Sequence, residues 1–484
     1  MGGWSGVSAW WIPRGPTTTT QSLTCVALGL VLGVGVGWMT GSRWMIVGAP
    51  LVFVVVFEVA RLGVEGPTVD GVTMSTAGAI AFVTGRLFHA LVALVPMAWG
   101  AAAGAAWHHR VLRRRGDPAR GLGSRPGRWT RRTVMAVTGV ALLAIAALLA
   151  RPAATEPIPG PNGRRLPGSI AELSTVGVNG HDLGVMIRGH DTDNPVLLFL
   201  AGGPGGSELG AMRRHLPELE EHLVVATWDQ RGTGRSYGEL DPLSTLTLDG
   251  SVDDTLEVTD YLRERFDQDR IYLVGQSWGS TLGVLAAQRA PEKYAAFVGV
   301  GQMVSQLATD RIYYDDTLAW AQRTGREDLI AELHRIGPPP YDDVRHYETV
   351  LSHEMEMYPY DHSPNSEGQG QMSENIFVPE YSLTEQIRIG SGTLDTFAAL
   401  YPQLQEIDFR KTATSLKIPV FFVQGAHEAP GRARLFEEWY PLIEAPRKDR
   451  ITLATSGHRP LFEQPEDFVA YLTEVVLPRT ADRP

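Results

Sequence analysis

The pattern of apolar and polar positions divides the chain into two parts. Up to about residue 150, long apolar runs are separated by short polar stretches, whereas beyond residue 167 short apolar runs alternate with amphipathic segments. A membrane-spanning helix needs about 20 mostly apolar residues. The first part therefore predicts an all-α transmembrane bundle of about four helices, at residues 22–39, 44–60, 87–106 and 133–150.

The alternative for these runs is a set of buried helices in a soluble domain. Such a domain needs enough polar sequence to cover its surface. Residues 1–150 hold too little of it between the apolar runs. The pattern thus favours a membrane region, with the lipid bilayer as its partner.

Basic residues indicate which side of the membrane each loop occupies. Nine arginines lie between Trp107 and Thr133, whereas the loop from Arg61 to Gly71 has one basic and two acidic residues. Cytoplasmic loops carry an excess of Lys and Arg. We therefore expect a multi-pass protein of the cell membrane whose chain beyond residue 150 is extracytoplasmic.

The second part has the pattern of an α/β domain. Residues 151–167 are rich in Pro and Gly and predict an extended linker, and residues 168–484 form the predicted domain. Strand-length apolar runs that alternate with helical segments imply a parallel sheet covered by helices. The strand candidates are Val196–Leu200, Leu223–Trp228, Ile271–Val274, Ala296–Val300, Val420–Val423 and Ile451–Leu453.

Charge and cysteine content narrow the function classes. The net charge of −11 combines +10 on residues 1–151, which hold 14 arginines and four acidic residues, with −21 on the remainder. The acidic second part argues against a nucleic-acid partner. The single cysteine, Cys25, excludes a disulfide framework, and no His or Cys spacing predicts a metal site.

The sharpest chemical motif is Gly275-Gln276-Ser277-Trp278-Gly279. It follows an apolar strand candidate and precedes a helical pattern, which is the context of a nucleophile elbow. Such a turn exposes the serine at the end of the strand, and the two glycines allow the strand and helix to approach closely. Ser277 is therefore the predicted nucleophile.

A glycine-rich segment, residues 201–206, follows the first strand candidate. We expect the backbone N–H groups of Gly203 and Trp278 to form an oxyanion hole. A phosphate-binding loop is the competing interpretation. That motif ends in Lys followed by Ser or Thr, which this segment lacks, and Pro204 removes a donor from its middle.

A serine nucleophile needs a base and a group that orients the base. In this arrangement they follow the serine in the order acid, then histidine. His458 comes just after the last strand candidate and is the predicted base. Glu428, shortly after the strand candidate at 420–423, is the predicted acid, and Asp229 is interpreted as a structural residue that fixes a turn.

Together these motifs resemble the prolyl aminopeptidase (proline iminopeptidase) family of α/β-hydrolases. The resemblance covers roughly residues 170–480 and rests on Gly202–Gly206, Asp229–Ser236, Gly275–Gly279 and Gly457-His458 with Glu463–Glu466. It implies an α/β-hydrolase fold with a helical cap at about 302–416. Two positions depart from the family: Ala201 stands where His is usual, and Glu428 where Asp is usual.

The resemblance also implies that cap carboxylates hold the free amino group of the substrate. Glu380 is the chosen candidate for substrate binding. Glu208, Glu354 and Glu356 are further candidates, and each could equally be a solvated surface residue.

The sequence therefore predicts a membrane-anchored serine hydrolase that needs no cofactor and releases an amino-terminal residue, such as proline, from short peptides. One alternative is an esterase or lipase that acts on small esters or amides on the same scaffold. Another is a membrane sensor, binding protein or transporter whose hydrolase domain only binds. The oligomeric state is left open.

Overall fold

The computed structural model describes residues 2–71, 75–115, 125–341, 343–358 and 373–480. Part of the predicted cytoplasmic loop, residues 116–124, and part of the predicted cap, residue 342 and residues 359–372, lie outside them. The chain forms two compact units. Unit 1 comprises Met1–Ala153 with Tyr381–Ser391, and unit 2 comprises Ala154–Glu380 with Gly392–Pro484.

Unit 1 is built from helices. In chain order they are α1 (Gly2–Trp11), α2 (Thr19–Thr40), α3 (Met45–Ala60), α4 (Thr76–Ala81), α5 (Phe88–Arg114) and α6 (Arg125–Leu149). A π-helical turn, Phe82–Leu87, joins α4 to α5. Among the described residues, Thr19–Thr40, Thr76–Arg114 and Trp129–Leu149 are long and apolar enough to cross a membrane, and α3 is a shorter apolar helix.

Helices α2 and α5 pack in parallel through small residues. A Cβ atom on Gly33 would lie 2.1 Å from the carbonyl oxygen of Met97, and one on Gly37 would lie 2.1 Å from that of Ala101. From the other side, a Cβ on Gly104 would lie 2.1 Å from the carbonyl oxygen of Val34. Small residues spaced four apart allow membrane helices to approach backbone to backbone.

Residues 381–391 complete unit 1. Arg388 is fully buried there and donates hydrogen bonds to the carbonyl oxygens of Pro16, at 2.8 Å, and Thr84, at 2.5 Å. These two contacts offset part of the cost of burying a guanidinium.

Unit 2 contains one eight-stranded mixed sheet in the order β1-β2-β4-β3-β5-β6-β7-β8. Its strands are β1 (Ile170–Val178), β2 (His181–Gly189), β3 (Val196–Leu200), β4 (Val224–Trp228), β5 (Ile271–Gln276), β6 (Tyr294–Val300), β7 (Val420–Gly425) and β8 (Lys448–Leu453). Strand β2 is antiparallel to β1 and β4. The six strands from β3 to β8 are parallel to their neighbours within that set.

Both faces of this sheet are buried. On β3, Val196 and Leu198 join one apolar cluster, and Leu197 and Phe199 join the cluster on the opposite face. Continuous apolar strands are expected when helices cover both faces of a parallel sheet. The helices that lie wholly or partly in unit 2 are α7 (Leu209–His215), α8 (Leu248–Arg265), α9 (Trp278–Arg289), α10 (Gln306–Thr324), α11 (Glu327–Ile336), α12 (Arg345–Leu351), α13 (Glu354–Met357), α14 (Ser373–Ile376), α15 (Leu383–Leu400), α16 (Phe409–Thr412), α17 (Pro430–Trp439), α18 (Pro460–Glu463), α19 (Pro465–Ala470) and α20 (Leu477–Thr480). Residues 383–391 of α15 belong to unit 1.

The hairpin β1–β2 was not among the strand candidates. Its turn is Asn179-Gly180, with φ of 48° and 84°. Both values lie in the left-handed region, which an Asn-Gly pair adopts readily in two-residue hairpin turns. This dipeptide was the available sequence signal for the hairpin.

Two further observations concern the predicted organisation. The expected α/β architecture, a mostly parallel sheet with helices on both faces, is confirmed, and helices long and apolar enough to form a transmembrane bundle precede it in the sequence. The proline-rich segment that follows Ala153 contacts the rest of unit 2 at residues 155–158. Arg188 donates hydrogen bonds to the Thr155 hydroxyl at 2.7 Å and to the carbonyl of Glu156 at 2.6 Å, and Ile158 is buried.

Candidate active site

Ser277 occupies a sharp turn between β5 and α9. Its backbone has φ 54° and ψ −120°, a conformation that residues other than glycine rarely adopt. The turn is held because the Ser277 N–H donates to the carbonyl of Val300 at 3.0 Å, and the N–H of Ser280 donates to the carbonyl of Ser277 at 2.8 Å. Strained serine backbone at a strand end is typical of a nucleophile elbow.

The glycines on either side of the nucleophile, Gly275 and Gly279, occupy positions where a larger residue would clash with the backbone. A Cβ on Gly275 would lie 2.2 Å from the carbonyl oxygen of Gly279, and one on Gly279 would lie 2.0 Å from that of Leu200. Both contacts involve backbone atoms, which cannot move aside without shifting strand or helix. The motif therefore contains glycine for the reason that the sequence suggested.

His458 lies between Ser277 and Glu428. Its Nε2 is 2.9 Å from Oγ of Ser277, and its Nδ1 is 2.6 Å from Oε2 of Glu428. With the proton on Nδ1, the imidazole donates to the carboxylate and can accept the serine proton. The three side chains, about 30 and 180 residues apart in sequence, thus form one chain of hydrogen bonds at the carboxyl ends of β5, β7 and β8.

Arg432 holds the other oxygen of Glu428. Its Nε donates to Oε1 at 2.7 Å, and the N–H of Ala429 donates to the same oxygen at 2.8 Å. Burial alone would raise the pKa of Glu428, but the charges of Arg432 and His458 outweigh it and lower that pKa to about 2. Glu428 is therefore a carboxylate at every physiological pH.

Arg432 also links this carboxylate to the segment predicted as the cap. Its Nη2 forms an ion pair with Glu354 of α13, and its guanidinium lies over the ring of Tyr313 from α10. Glu354 is therefore engaged by an arginine in this structure.

The glycine-rich segment lies against the nucleophile. A Cβ on Gly202 would lie 3.4 Å from Cβ of Ser277 and 2.3 Å from the side-chain oxygen of Gln276. Gly203 has φ 127°, which favours glycine. The segment closes on itself through a 3.1 Å hydrogen bond from the N–H of Gly206 to the carbonyl of Gly202. Trp278 is the first residue of α9, where backbone N–H groups have no acceptor within the helix.

Gln230 is a site residue that the sequence interpretation missed. Its Oε1 accepts from the indole N–H of Trp278 at 2.8 Å, and its Nε2 donates to the carbonyl of Ala201 at 3.2 Å. It therefore ties the residue after the nucleophile to the start of the glycine-rich segment. Its position directly after Asp229, in a motif already noted, was the available signal.

Asp229 has the structural surroundings expected of it. It is fully buried, its Oδ2 accepts from the N–H of Arg235 at 2.8 Å, and its carbonyl accepts from the Ser236 hydroxyl at 2.6 Å. These bonds close the turn after β4.

The structure places the predicted amine-binding carboxylates beside arginines. Glu380 is fully buried and forms an ion pair with Arg213. Glu380 thus has a cationic protein partner in this structure, and its role in substrate binding stays a prediction. Glu356 pairs with Arg326 on the surface at 2.6 Å.

Glu208 lies at the glycine-rich segment. Its Oε2 accepts from the N–H of Gly202 at 3.2 Å, and its Oε1 accepts from Arg459 at 3.1 Å. Arg459 also contacts Glu374, which accepts from His215 at 2.5 Å. Within the part of the chain that the structure describes, these and the other His, Cys, Asp and Glu side chains form no group suited to a metal ion.

Known proteins resemble this chain in sequence and in fold. Residues 195–465 match the family described as alpha/beta hydrolase fold. The chain is 28% identical over 307 residues to "Probable aminopeptidase YbaC" of Bacillus subtilis, covering 63% of this chain and 96% of that protein. It is 27% identical over 173 residues to "Probable proline iminopeptidase" of Leptolyngbya boryana, covering 35% of this chain and 50% of that protein.

A solved crystal structure is also similar to part of this chain. The crystal structure of proline iminopeptidase from Mycobacterium smegmatis is 18% identical and superposes with a TM-score of 0.44, covering 64% of this chain and 99% of that chain. The sheet order and the match over more than half of the sequence define the relationship. The chain belongs to the alpha/beta hydrolase fold family.

Proposed function

We propose that this protein is a membrane-anchored serine hydrolase that removes an amino-terminal residue from short peptides. The observation that carries the proposal is the hydrogen-bonded chain from Ser277 through His458 to Glu428 at the end of the sheet. A serine in a strained elbow, a base in contact with it and a buried carboxylate behind the base are the parts that acyl transfer requires.

The proposed reaction starts when Oγ of Ser277 attacks the substrate carbonyl as Nε2 of His458 accepts its proton. The Glu428 carboxylate stabilises the imidazolium and keeps its ring in place. The negative oxygen of the tetrahedral intermediate is held by the N–H groups of Gly203 and Trp278. His458 then protonates the leaving amine, and water hydrolyses the acyl-enzyme by the same route in reverse.

The choice of peptides as substrates rests on the relatives. A protein named as a probable aminopeptidase matches 63% of this chain, and one named as a probable proline iminopeptidase matches 35% of it. We propose proline as a residue that this enzyme releases, in line with the proline iminopeptidase name of the second relative. A small ester is the alternative substrate on the same catalytic groups.

We further propose that unit 1 spans the membrane four times. The parallel packing of α2 and α5 supports this count, because the chain must cross back between two parallel helices and α3 is the apolar segment available. The nine arginines between Trp107 and Thr133 favour a cytoplasmic loop there. The hydrolase would then be extracytoplasmic, and protease treatment of intact cells should digest it. Complete protection of residues 168–484 would contradict that orientation.

A substrate panel tests the peptidase proposal. Purified full-length protein is assayed with proline 4-nitroanilide, its N-acetylated form and 4-nitrophenyl acetate, with Ser277→Ala as the background. We expect cleavage of the free-amine substrate and at least tenfold lower kcat/KM for its acetylated form. Equal cleavage of the free and blocked amides, or activity on the ester alone, would replace the aminopeptidase by an esterase.

A further inference from the structure

Helices α3, α5 and α6 of unit 1 enclose a groove of about 590 Å³. Its volume falls in the range of about 300 to 1,000 Å³ that is usual for sites that bind small molecules. The residues at one end are basic or polar: Arg43, His109, Thr130 and Arg131. Those farther along α5 and α6 are mostly apolar, including Val95, Ala98, Trp99, Val134 and Met135.

The length of the groove matches that of a lipid chain. From Val95 to His109, α5 rises about 21 Å, at about 1.5 Å per residue. One leaflet of a bilayer has a hydrocarbon depth of about 15 Å, which leaves room for a head group at the basic end. The indole N–H of Trp99 already donates to the carbonyl of Met135 at 2.9 Å, so this side chain offers the groove apolar surface.

The basic end lacks a protein anion among the residues that the structure describes. Arg43 and Arg131 are exposed, and neither forms an ion pair with a described carboxylate. The positive charges of Arg43 and Arg110 are close enough to repel that of Arg131. Residues 1–153 contain four acidic residues. Glu58 lies in the last turn of α3, at the opposite end from Arg43, residues 65 and 70 lie beyond that end, and Asp117 is outside the described residues.

We infer that this groove binds one anionic phospholipid, an inference that rests on the proposed location of unit 1 in the membrane. The guanidinium groups of Arg43 and Arg131 would donate to the phosphate oxygens, and an acyl chain would lie along Trp99 towards Val95. Guanidinium and phosphate match in charge and in hydrogen-bond geometry. Basic pockets between transmembrane helices on the cytoplasmic side recognise anionic lipid head groups in this way.

The experiment is native mass spectrometry of the full-length protein in detergent, with equimolar dioleoyl phosphatidylglycerol and dioleoyl phosphatidylcholine. The test variant is Arg43→Gln/Arg131→Gln. The control, Arg113→Gln/Arg114→Gln, removes the same charge from exposed positions at the same end of α5 that do not line the groove. We expect wild type and control to retain phosphatidylglycerol in preference, and the test variant to lose about tenfold or more of that preference.

A second variant tests the apolar part without changing charge. Ala102 lines the groove, so Ala102→Trp should fill it and reduce retention of phosphatidylglycerol while the protein keeps its elution volume in size-exclusion chromatography. Equal retention of both lipids by wild type, or unchanged preference in both the arginine and Ala102 variants, would overturn the inference. Release of the protein from membranes by carbonate would instead refute the membrane location itself.

Discussion

Arg432 donates from its Nε to Oε1 of Glu428 at 2.7 Å, and the opposite oxygen of that carboxylate is 2.6 Å from His458. The arginine is four residues beyond the glutamate, in the first turn of α17, and Glu428 directly precedes the N-cap residue of that helix. A glutamate has one more rotatable bond than the aspartate usual in the resembling family. The bond from Arg432 removes that extra freedom and fixes Oε2 towards the imidazole.

Replacing Arg432 by Gln should therefore impair catalysis. Loss of a charge-assisted hydrogen bond of about 1.5 to 3 kcal/mol corresponds to a fall in kcat of about 10- to 150-fold. Without the positive charge, burial raises the pKa of Glu428 from about 2, so the acid limb of the kcat–pH profile moves to higher pH. The measurement is kcat between pH 4 and 9 on the best substrate of the panel.

The matched control is Arg434→Gln. Arg434 lies on the same helix but is exposed, and it pairs with Glu438. It should leave both kcat and the pH profile unchanged. If Arg432→Gln behaves like Arg434→Gln, Arg432 has no positioning role.

Asp310 predicts a dependence of stability on pH. It is buried in α10 and accepts hydrogen bonds from Tyr401, at 2.7 Å, and Gln405, at 3.0 Å. Burial raises its pKa from 3.8 to about 6. The folded state then binds the proton more tightly than the unfolded state. The contribution of Asp310 to the free energy of unfolding is therefore largest below about pH 4 and is lost as the pH rises through about 6.

Asp310→Asn should remove that decline. Within the described structure, Oε1 of Gln405 is buried without a partner. Rotation of the Gln405 amide would let it accept from the new Asn side chain. We expect thermal unfolding of the variant, followed by tryptophan fluorescence, to be less pH-dependent between pH 4 and 6.5 and its melting temperature at pH 7 to be at least that of wild type. A variant with an unchanged pH slope would contradict the burial argument.

Two glycines of α2 offer a matched test of the helix packing. A Cβ on Gly33 meets the backbone of α5 at 2.1 Å, whereas one on Gly35 meets nothing within 4 Å. Gly33→Ala should lower the melting temperature of the detergent-solubilised protein by several degrees. Gly35→Ala should leave it unchanged or slightly higher, because alanine favours the helix. Equal behaviour of the two variants would exclude close packing of α2 on α5.

The sequence predicted those elements and site residues that are marked by a contiguous motif or apolar run. An apolar strand followed by Gly275–Gly279 and a helical pattern defines the position of Ser277, and the carboxyl ends of parallel strands bring His458 and Glu428 to the same edge of the sheet. The apolar runs of residues 1–150 likewise predicted helices, since their length and composition are sufficient evidence.

The sequence could not predict which charged side chains form ion pairs when they are far apart along the chain. Arg432 meets Glu354 from 78 residues away, and Arg213 meets Glu380 from 167 residues away. An acidic residue in a cap has the same sequence signature whether it faces substrate or an arginine. Glu380 was chosen on the resemblance alone, and only the fold reveals the arginine beside it.

The most direct test of the proposed chemistry is labelling with a fluorophosphonate, followed by peptide mass spectrometry. The account predicts one adduct on Ser277 of the full-length protein, its loss in Ser277→Ala, and labelling at least tenfold slower in His458→Ala. Folded wild-type protein that does not react, or labelling that persists in Ser277→Ala, would contradict the assignment of Ser277 as the nucleophile.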